Sequence, residues 1–209
     1  MKNWRGACVS SGEFLNAAFR PLLRAGGACL SPGSACSFGA QSDEDGTVGE
    51  TTIQLGGRCA CGAVRYELHS APMFVHCCHC LDCQRQTGSG FVLNALIETD
   101  RIGILRGAEA IAATSVPTDS GRQHEIHRCR HCQTALWSDY GRREVLRFVR
   151  VGTLDMPSAL APDVHIFTRS KLPWLRLPAG VPAFEEYYDM KALWPAESLA
   201  RRKAILGER

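Results

Sequence analysis

The chain has 209 residues, of which 45% are hydrophobic and 22% are charged, and its formal net charge is +3. This length allows one domain with a hydrophobic core, and no stripe of Lys and Arg suits a nucleic-acid backbone, so we expect no nucleic-acid partner. No run of about eighteen apolar residues occurs, which excludes a membrane-spanning helix, and we expect no membrane partner.

Residues 1–50 differ in composition from the rest of the chain. They are rich in Gly, Ser and Ala, and their Cys8, Cys29 and Cys36 lack metal-ligand spacing. We interpret them as a disordered or targeting-like extension, or as the product of a start assigned too far upstream. The total of eleven cysteines is odd. Because cysteines one residue apart also make poor disulfide partners, we expect a reducing compartment, the cytoplasm.

Short strands dominate from residue 51 onward. Val64, Tyr66 and Leu68 alternate with polar residues, the period of a half-buried strand. Further strands are predicted at 51–55, 91–97, 102–105, 110–116, 123–127, 135–138, 145–151 and 164–168. Helices are predicted at 83–87, 183–188 and 196–205. The pattern predicts a mainly β, antiparallel domain over residues 51–190 and a helical tail over 191–209.

Seven cysteines form three tight clusters: Cys59-x-Cys61, Cys78-x-Cys80-x-x-Cys83 and Cys129-x-x-Cys132. Zinc prefers four soft ligands in a tetrahedron, and such spacing turns two thiolates toward one ion. The first and third clusters together therefore predict a closed, structural four-thiolate site. The alternative is that these are buried cysteines without a metal.

The middle cluster offers three thiolates and predicts a second zinc with one open coordination position. Cys77 alternates to the opposite side of an extended chain, but His76 or His79 could close the site and make it structural. A thiolate-rich zinc is suited to holding an incoming thiol as thiolate. With an open position, the cluster indicates carbon–sulfur chemistry. We thus expect two zinc ions per chain.

Three segments resemble the glutathione-dependent formaldehyde-activating (GFA) family, which includes the centromere protein V branch. They are Gly57-x-Cys59-x-Cys61-Gly62-Ala63-Val64-x-Tyr66, Cys78-His79-Cys80-x-x-Cys83-Gln84-Arg85-x-Thr87-Gly88 and Cys129-x-x-Cys132. Residues 152–155, 162–167 and 170–174 extend the resemblance over about residues 52–188. The family commonly has glycine at Gln133 and proline at Arg130, so Gln133 is expected at a positive φ.

The resemblance implies a β-tent fold, a structural zinc at Cys59, Cys61, Cys129 and Cys132, and a catalytic zinc at Cys78, Cys80 and Cys83. It implies a carbon–sulfur lyase acting on a thiol adduct of the S-hydroxymethylglutathione type, with a small thiol such as glutathione as partner. No catalytic side chain is predicted beyond the metal ligands. The rival hypothesis is a non-catalytic interaction module in which both zinc sites are structural.

Arg85 and Thr87 follow the middle cluster and are predicted to bind substrate. Their side chains, with those of Ser89 and Asn94, could donate hydrogen bonds to the carboxylates or amides of a peptide-like thiol. The alternative is that Thr87 caps a short turn and Arg85 is solvated.

Overall fold

The computed structural model describes residues 55–141 and 143–207. The extension predicted for residues 1–50, and all of the first predicted strand except Leu55, lie outside the described residues. The described chain is mainly β, as the sequence predicts, with two sheets and three α-helices. The smaller sheet is antiparallel, in the order β1–β2–β5, and consists of β1 (Leu55–Arg58), β2 (Arg65–Leu68) and β5 (Ile102–Arg106).

The larger sheet has seven strands in the order β10–β3–β4–β9–β8–β7–β6. Its strands are β3 (Phe74–Cys78), β4 (Val92–Glu98), β6 (Ile111–Val116), β7 (His124–Cys129), β8 (Ala135–Tyr140), β9 (Leu146–Arg150) and β10 (Val164–Ile166). Every neighbouring pair is antiparallel except β10 and β3, which are parallel.

Strand β4 supplies apolar side chains to two core clusters. Ala95 and Ile97 belong to a cluster that joins both sheets through residues such as Tyr66, whereas Val92 and Leu96 belong to a second cluster. This division follows from the alternation of side chains along a strand. With both faces covered, β4 lies at the centre of the fold.

The α-helices are α1 (Leu81–Thr87), α2 (Met190–Leu193) and α3 (Ala196–Leu206). The predicted helix at 196–205 is confirmed as α3, and its Leu199 packs against the second core cluster. Arg201 donates to both carboxylate oxygens of the buried Glu98, at 2.8 and 2.6 Å, which fixes α3 to the end of β4. No helix in the described ranges is both long enough and apolar enough to span a bilayer.

The prediction of a helix at 183–188 is wrong. The backbone N–H of His165 donates to the carbonyl of Pro182 at 2.8 Å, and Phe184 N–H donates to the carbonyl of His165 at 2.9 Å. The segment therefore runs extended along the free edge of β10, which satisfies backbone groups that a helix would satisfy internally.

Strand β3 was not predicted from the sequence. All five of its residues are buried, so it lacks the alternation that marks the other strands. Its position matters for function because it ends at Cys78, the first cysteine of the middle cluster.

Candidate metal centres

Four cysteines from two distant parts of the chain meet beside the sheets. Cys59 and Cys61 follow β1, while Cys129 ends β7 and Cys132 lies in the turn before β8. Their sulfurs all lie within 4.8 Å of one another. Sγ of Cys61 is 3.5 Å from Sγ of Cys59 and 3.8 Å from Sγ of Cys129. A tetrahedral zinc with Zn–S bonds of about 2.3 Å spaces its sulfurs about 3.8 Å apart, so these four residues fit the ion.

Two matching turns present these thiols. In the first, the N–H of Gly62 donates to the carbonyl of Cys59 at 3.0 Å, and Gly62 has a φ of 75°. In the second, the N–H of Gln133 donates to the carbonyl of Cys129 at 2.9 Å, and the φ of Gln133 is 60°. The positive φ expected at Gln133 is confirmed. Each turn needs a left-handed residue, which glycine adopts freely and glutamine at a cost.

Hydrogen bonding prepares one of these sulfurs for a cation. Oγ1 of Thr134 lies 3.1 Å from Sγ of Cys132, and this contact is the main cause that lowers the pKa of Cys132 to about 5. The same hydroxyl accepts from the N–H of Ala60 at 3.2 Å. Thr134 therefore joins the two turns and favours a thiolate between them.

Three further cysteines converge where β3 meets α1. Cys78 ends β3, Cys80 is the N-cap of α1 and Cys83 lies in its first turn, and their sulfurs lie within 4.8 Å of one another. Sγ of Cys80 accepts from the N–H of Cys83 at 3.4 Å, in place of the usual oxygen cap. Hydrogen bonds from Cys78 and Cys83 lower the pKa of Cys80, which favours a thiolate within this group.

No fourth side chain joins these three cysteines among residues 55–141 and 143–207: no other His, Cys, Asp or Glu atom completes the group. Nε2 of His76 instead lies 2.7 Å from Oη of Tyr188. His79 and Cys77 converge with His165 as a separate group. Alternation along extended backbone accounts for this separation, because Cys77 and His79 alternate with Cys78 and Cys80.

Arg150 is a candidate functional residue that the sequence reasoning missed. It is only 6% exposed, and its Nε and Nη2 have no hydrogen-bond partner among the described residues. Burial lowers the pKa of its guanidinium, while Cys83, Cys78 and Cys80 favour its charged form. Its position on a predicted strand indicated an ordinary basic residue with a half-exposed side chain. Alternation along a strand places Arg150 on the opposite face from Val149 and Val151, so the sequence carries no signal of its burial.

A cavity of about 430 Å³ lies next to this site. Arg150 lines it together with Thr87 of α1, and so does Val92, which pairs directly with Cys78 across β3 and β4. The other lining residues are Gln86, Phe91, Leu93, Arg128, Gln133, Thr134, Ala135 and Gly152. The lining thus combines an apolar wall with two guanidinium groups, a composition typical of a site for a small anionic molecule.

The two residues predicted to bind substrate have different surroundings. Thr87 lines the cavity, and its Oγ1 donates to the carbonyl of Cys83 at 2.8 Å. Arg85 is not in the lining: its side chain is 68% exposed and Nη1 lies 3.6 Å from the carboxylate of Asp82.

The model of a family described as "Glutathione-dependent formaldehyde-activating enzyme" matches residues 54–170, more than half of the chain. A crystal structure of a Rhodobacter sphaeroides protein, solved as a structural genomics target, is 24% identical and covers 48% of this chain and 87% of its own. Its TM-score is 0.38. A comparison with curated proteins finds no match.

Proposed function

Because the chain belongs to the glutathione-dependent formaldehyde-activating family, we propose that it is a zinc-dependent carbon–sulfur lyase acting on a thiol adduct of the S-hydroxymethylglutathione type. The observation that carries this proposal is the arrangement of Cys78, Cys80 and Cys83. Three sulfurs converge without a fourth protein ligand among the described residues, next to a cavity with cationic walls. An open coordination position is what separates catalytic from structural zinc.

In this proposal Cys59, Cys61, Cys129 and Cys132 hold a structural zinc, and Cys78, Cys80 and Cys83 hold a catalytic one. When bound there, the catalytic ion supplies a position that holds the substrate's sulfur as a thiolate. The structural ion joins two turns that are some seventy residues apart in the sequence, at positions 59–61 and 129–132.

The cavity binds the rest of the substrate. Nε and Nη2 of Arg150, which have no partner in the described part of the chain, donate to a carboxylate of the substrate, and Arg128 adds a second positive charge to the same wall. Thr87 contributes to the cavity wall beside α1. Arg85, outside this lining, contacts the solvent-facing end of the substrate. Glutathione carries two carboxylates besides its thiol and therefore fits such a charged site.

The reaction needs no oxidant or reductant. In the forward direction the thiol's sulfur forms a bond to the carbonyl carbon of formaldehyde, and the carbonyl oxygen takes up the proton that the thiol has lost. In the lyase direction the carbon–sulfur bond breaks, the hydroxyl proton leaves and formaldehyde is released with the free thiol. A reducing compartment, for which the cytoplasm is our proposal, would keep both the substrate and the cluster thiols reduced.

Two measurements test this function on the zinc-loaded protein. Isothermal titration calorimetry compares glutathione with S-methylglutathione, whose blocked sulfur cannot bind as a thiolate. We expect the methylated ligand to bind at least ten times more weakly, and equal affinity would contradict the open site. Exchange NMR then measures the interconversion of formaldehyde and S-hydroxymethylglutathione, which the protein should accelerate without changing their ratio.

The Cys80→Ser variant is the matched control for the exchange measurement. It should retain the fold and lose the acceleration. If the wild-type protein binds two structural ions but neither thiol nor adduct, the interaction-module hypothesis is correct instead.

A further inference from the structure

A third group of possible metal ligands lies outside the two sites already described. Cys77, His79 and His165 place their ligand atoms within 4.8 Å of one another, and their exposed fractions are 3%, 0% and 4%. The proposed lyase uses none of them. Cys77 and His165 face each other in the register of the parallel pair β3 and β10. His79 follows β3, and its N–H donates to the carbonyl of Ile166 at 3.0 Å.

Two of the three distances among these atoms are close to the edges of a coordination tetrahedron, and the third, from Sγ of Cys77 to Nδ1 of His165, is within 4.8 Å. Nε2 of His79 is 3.5 Å from Sγ of Cys77 and 3.0 Å from Nδ1 of His165. Around a zinc ion with Zn–S of about 2.3 Å and Zn–N of about 2.0–2.1 Å, the sulfur–nitrogen and nitrogen–nitrogen edges are about 3.6 and 3.3 Å. Only small movements would therefore bring all three atoms to bonding distance of one ion.

Each imidazole ring places one nitrogen toward the group, Nε2 of His79 and Nδ1 of His165. Both nitrogens that point into the group can present lone pairs, which leaves the N–H groups on Nδ1 of His79 and Nε2 of His165. These outer nitrogens have no hydrogen-bond partner among the described residues. The backbone of Gly90 nevertheless lies close enough to interact with His79, and a hydrogen bond to such an outer N–H is what usually orients a ligating histidine.

We propose that Cys77, His79 and His165 form a third metal site, for a borderline-soft divalent ion such as Zn²⁺. Binding displaces the thiol proton of Cys77 to solvent, so the site with one thiolate and two neutral imidazoles carries a net positive charge. A zinc bound by the neighbouring residues Cys78, Cys80 and Cys83 would give that site a net negative charge. The two sites are therefore electrostatically complementary, although the nearby Lys171 opposes a cation at His79.

The third ion would link β3 to β10 behind the cysteines of the proposed catalytic centre. Because Cys77 and His79 alternate in sequence with Cys78 and Cys80, an ion on one side would restrain the backbone that presents ligands on the other. The role of such an ion is structural, with no contact to the substrate.

Zinc-edge X-ray absorption of the wild-type, tag-free full chain tests the site without any variant. The two other proposed sites contain only sulfur ligands, so imidazole scattering has to come from the third. We expect three ions per chain and a measurable imidazole contribution. Scattering without an imidazole contribution would overturn the proposal and would mean that His79 and His165 form a simple hydrogen-bonded pair.

A His165→Gln variant tests the assignment by metal analysis. It should bind one ion fewer than the wild type while keeping its thiol affinity within about threefold. The control is His69→Gln, since His69 is half exposed and belongs to none of the three groups; it should keep every ion. Equal metal content in wild type and His165→Gln would overturn the proposal. This readout does not depend on the lyase function, whose failure would show separately: Cys80→Ser would retain all its metal or all its activity, or glutathione and S-methylglutathione would bind equally well.

If His165→Gln fails to fold, cobalt substitution of the wild type provides the second measurement. Tetrahedral Co²⁺ with mixed sulfur and nitrogen ligands absorbs at shorter wavelength than Co²⁺ in all-sulfur sites. We expect absorption bands of both kinds, from all-sulfur sites and from a site with mixed sulfur and nitrogen ligands. Spectra with only the all-sulfur bands at full loading would again overturn the third site.

Discussion

Asn94 and Arg150 face each other directly across β4 and β9, and Nη1 of Arg150 donates a hydrogen bond to Oδ1 of Asn94. This contact fixes the plane of the guanidinium, while Nε and Nη2 have no hydrogen-bond partner among residues 55–141 and 143–207. A buried charged group with unmatched N–H donors is costly, so an anion that accepts from them binds with a large gain in free energy. In the proposed function, this pair would present an anion site beside the cysteines.

An Arg150→Lys variant should bind glutathione about 10- to 100-fold more weakly, because a forked, charge-assisted pair contributes about 1.5–3 kcal/mol that an ammonium group cannot fully replace. Calorimetry measures the affinity, and thermal unfolding checks that the fold survives. Arg122→Lys is the control, since Arg122 is exposed and does not line the cavity. Equal affinities of the two variants would remove Arg150 from the binding site. Glutathione diethyl ester should bind both variants with similar affinity.

The two cysteine groups should respond differently to loss of one ligand. Cys80→Ser removes a ligand from three residues close in sequence and should lose one ion with a small change in Tm. Cys132→Ser breaks a link between distant turns and should cost at least about 3 kcal/mol, or roughly 6–12 °C in Tm. Metal analysis and circular dichroism measure both effects. Equal destabilisation by the two substitutions would mean that both ions are structural.

A Gln133→Gly variant should be more stable than the wild type. At a φ of 60°, a residue with a Cβ is strained by roughly 1 kcal/mol, and glycine removes that strain. Part of the gain is offset by the greater freedom of glycine in the unfolded chain, so we expect a net gain of about 0.5 kcal/mol in the free energy of unfolding.

Gln133→Ala is the matched control for that substitution. It keeps the strained φ and removes the hydrogen bond from Nε2 of Gln133 to the carbonyl of Arg130, 2.9 Å long. Chemical denaturation should rank glycine above glutamine, and glutamine at or above alanine. If the glycine and alanine variants are equally stable, the backbone at this position is not strained.

The sequence predicts the parts of this protein that depend on local spacing. Cysteines one to three residues apart sit together in any compact turn, so the three clusters could be identified without coordinates. The alternation of Val64, Tyr66 and Leu68 likewise identified a strand of the smaller sheet. A positive φ at Gln133 could be expected because glycine is usual at that position in the family that the sequence resembles.

Features that arise from tertiary contact were harder to predict. Strand β3 lacks alternation because both of its faces are buried. The segment at 183–188 has residues compatible with a helix, but β10 offers it backbone partners that no local pattern reveals. The convergence of His165 with Cys77 and the burial of Arg150 beside Cys83 both depend on which strands become neighbours. Sequence spacing identifies ligand clusters, whereas the surroundings that tune them come from the order of the sheet.

His76 should make the stability of the protein depend on pH. Nε1 of Trp194 donates to Oη of Tyr188 at 2.7 Å, and the hydroxyl hydrogen of Tyr188 is then directed to Nε2 of His76, also at 2.7 Å. This arrangement favours the neutral imidazole. Desolvation by burial lowers the pKa of His76 to about 4 from an ordinary value of 6.5.

Between these two pKa values the unfolded state binds a proton that the folded state does not. The free energy of unfolding must therefore fall as pH decreases through this window, and His76 contributes a loss of about 2 kcal/mol between pH 7 and pH 5. A His76→Gln variant cannot take up this proton but can still hydrogen-bond to Tyr188, so its stability should fall by about 2 kcal/mol less over the same range. Denaturation with guanidinium chloride at pH 7, 6 and 5 measures the difference. His69→Gln should follow the wild type, and parallel curves for wild type and His76→Gln would show that His76 is protonated in the folded protein as readily as in the unfolded chain.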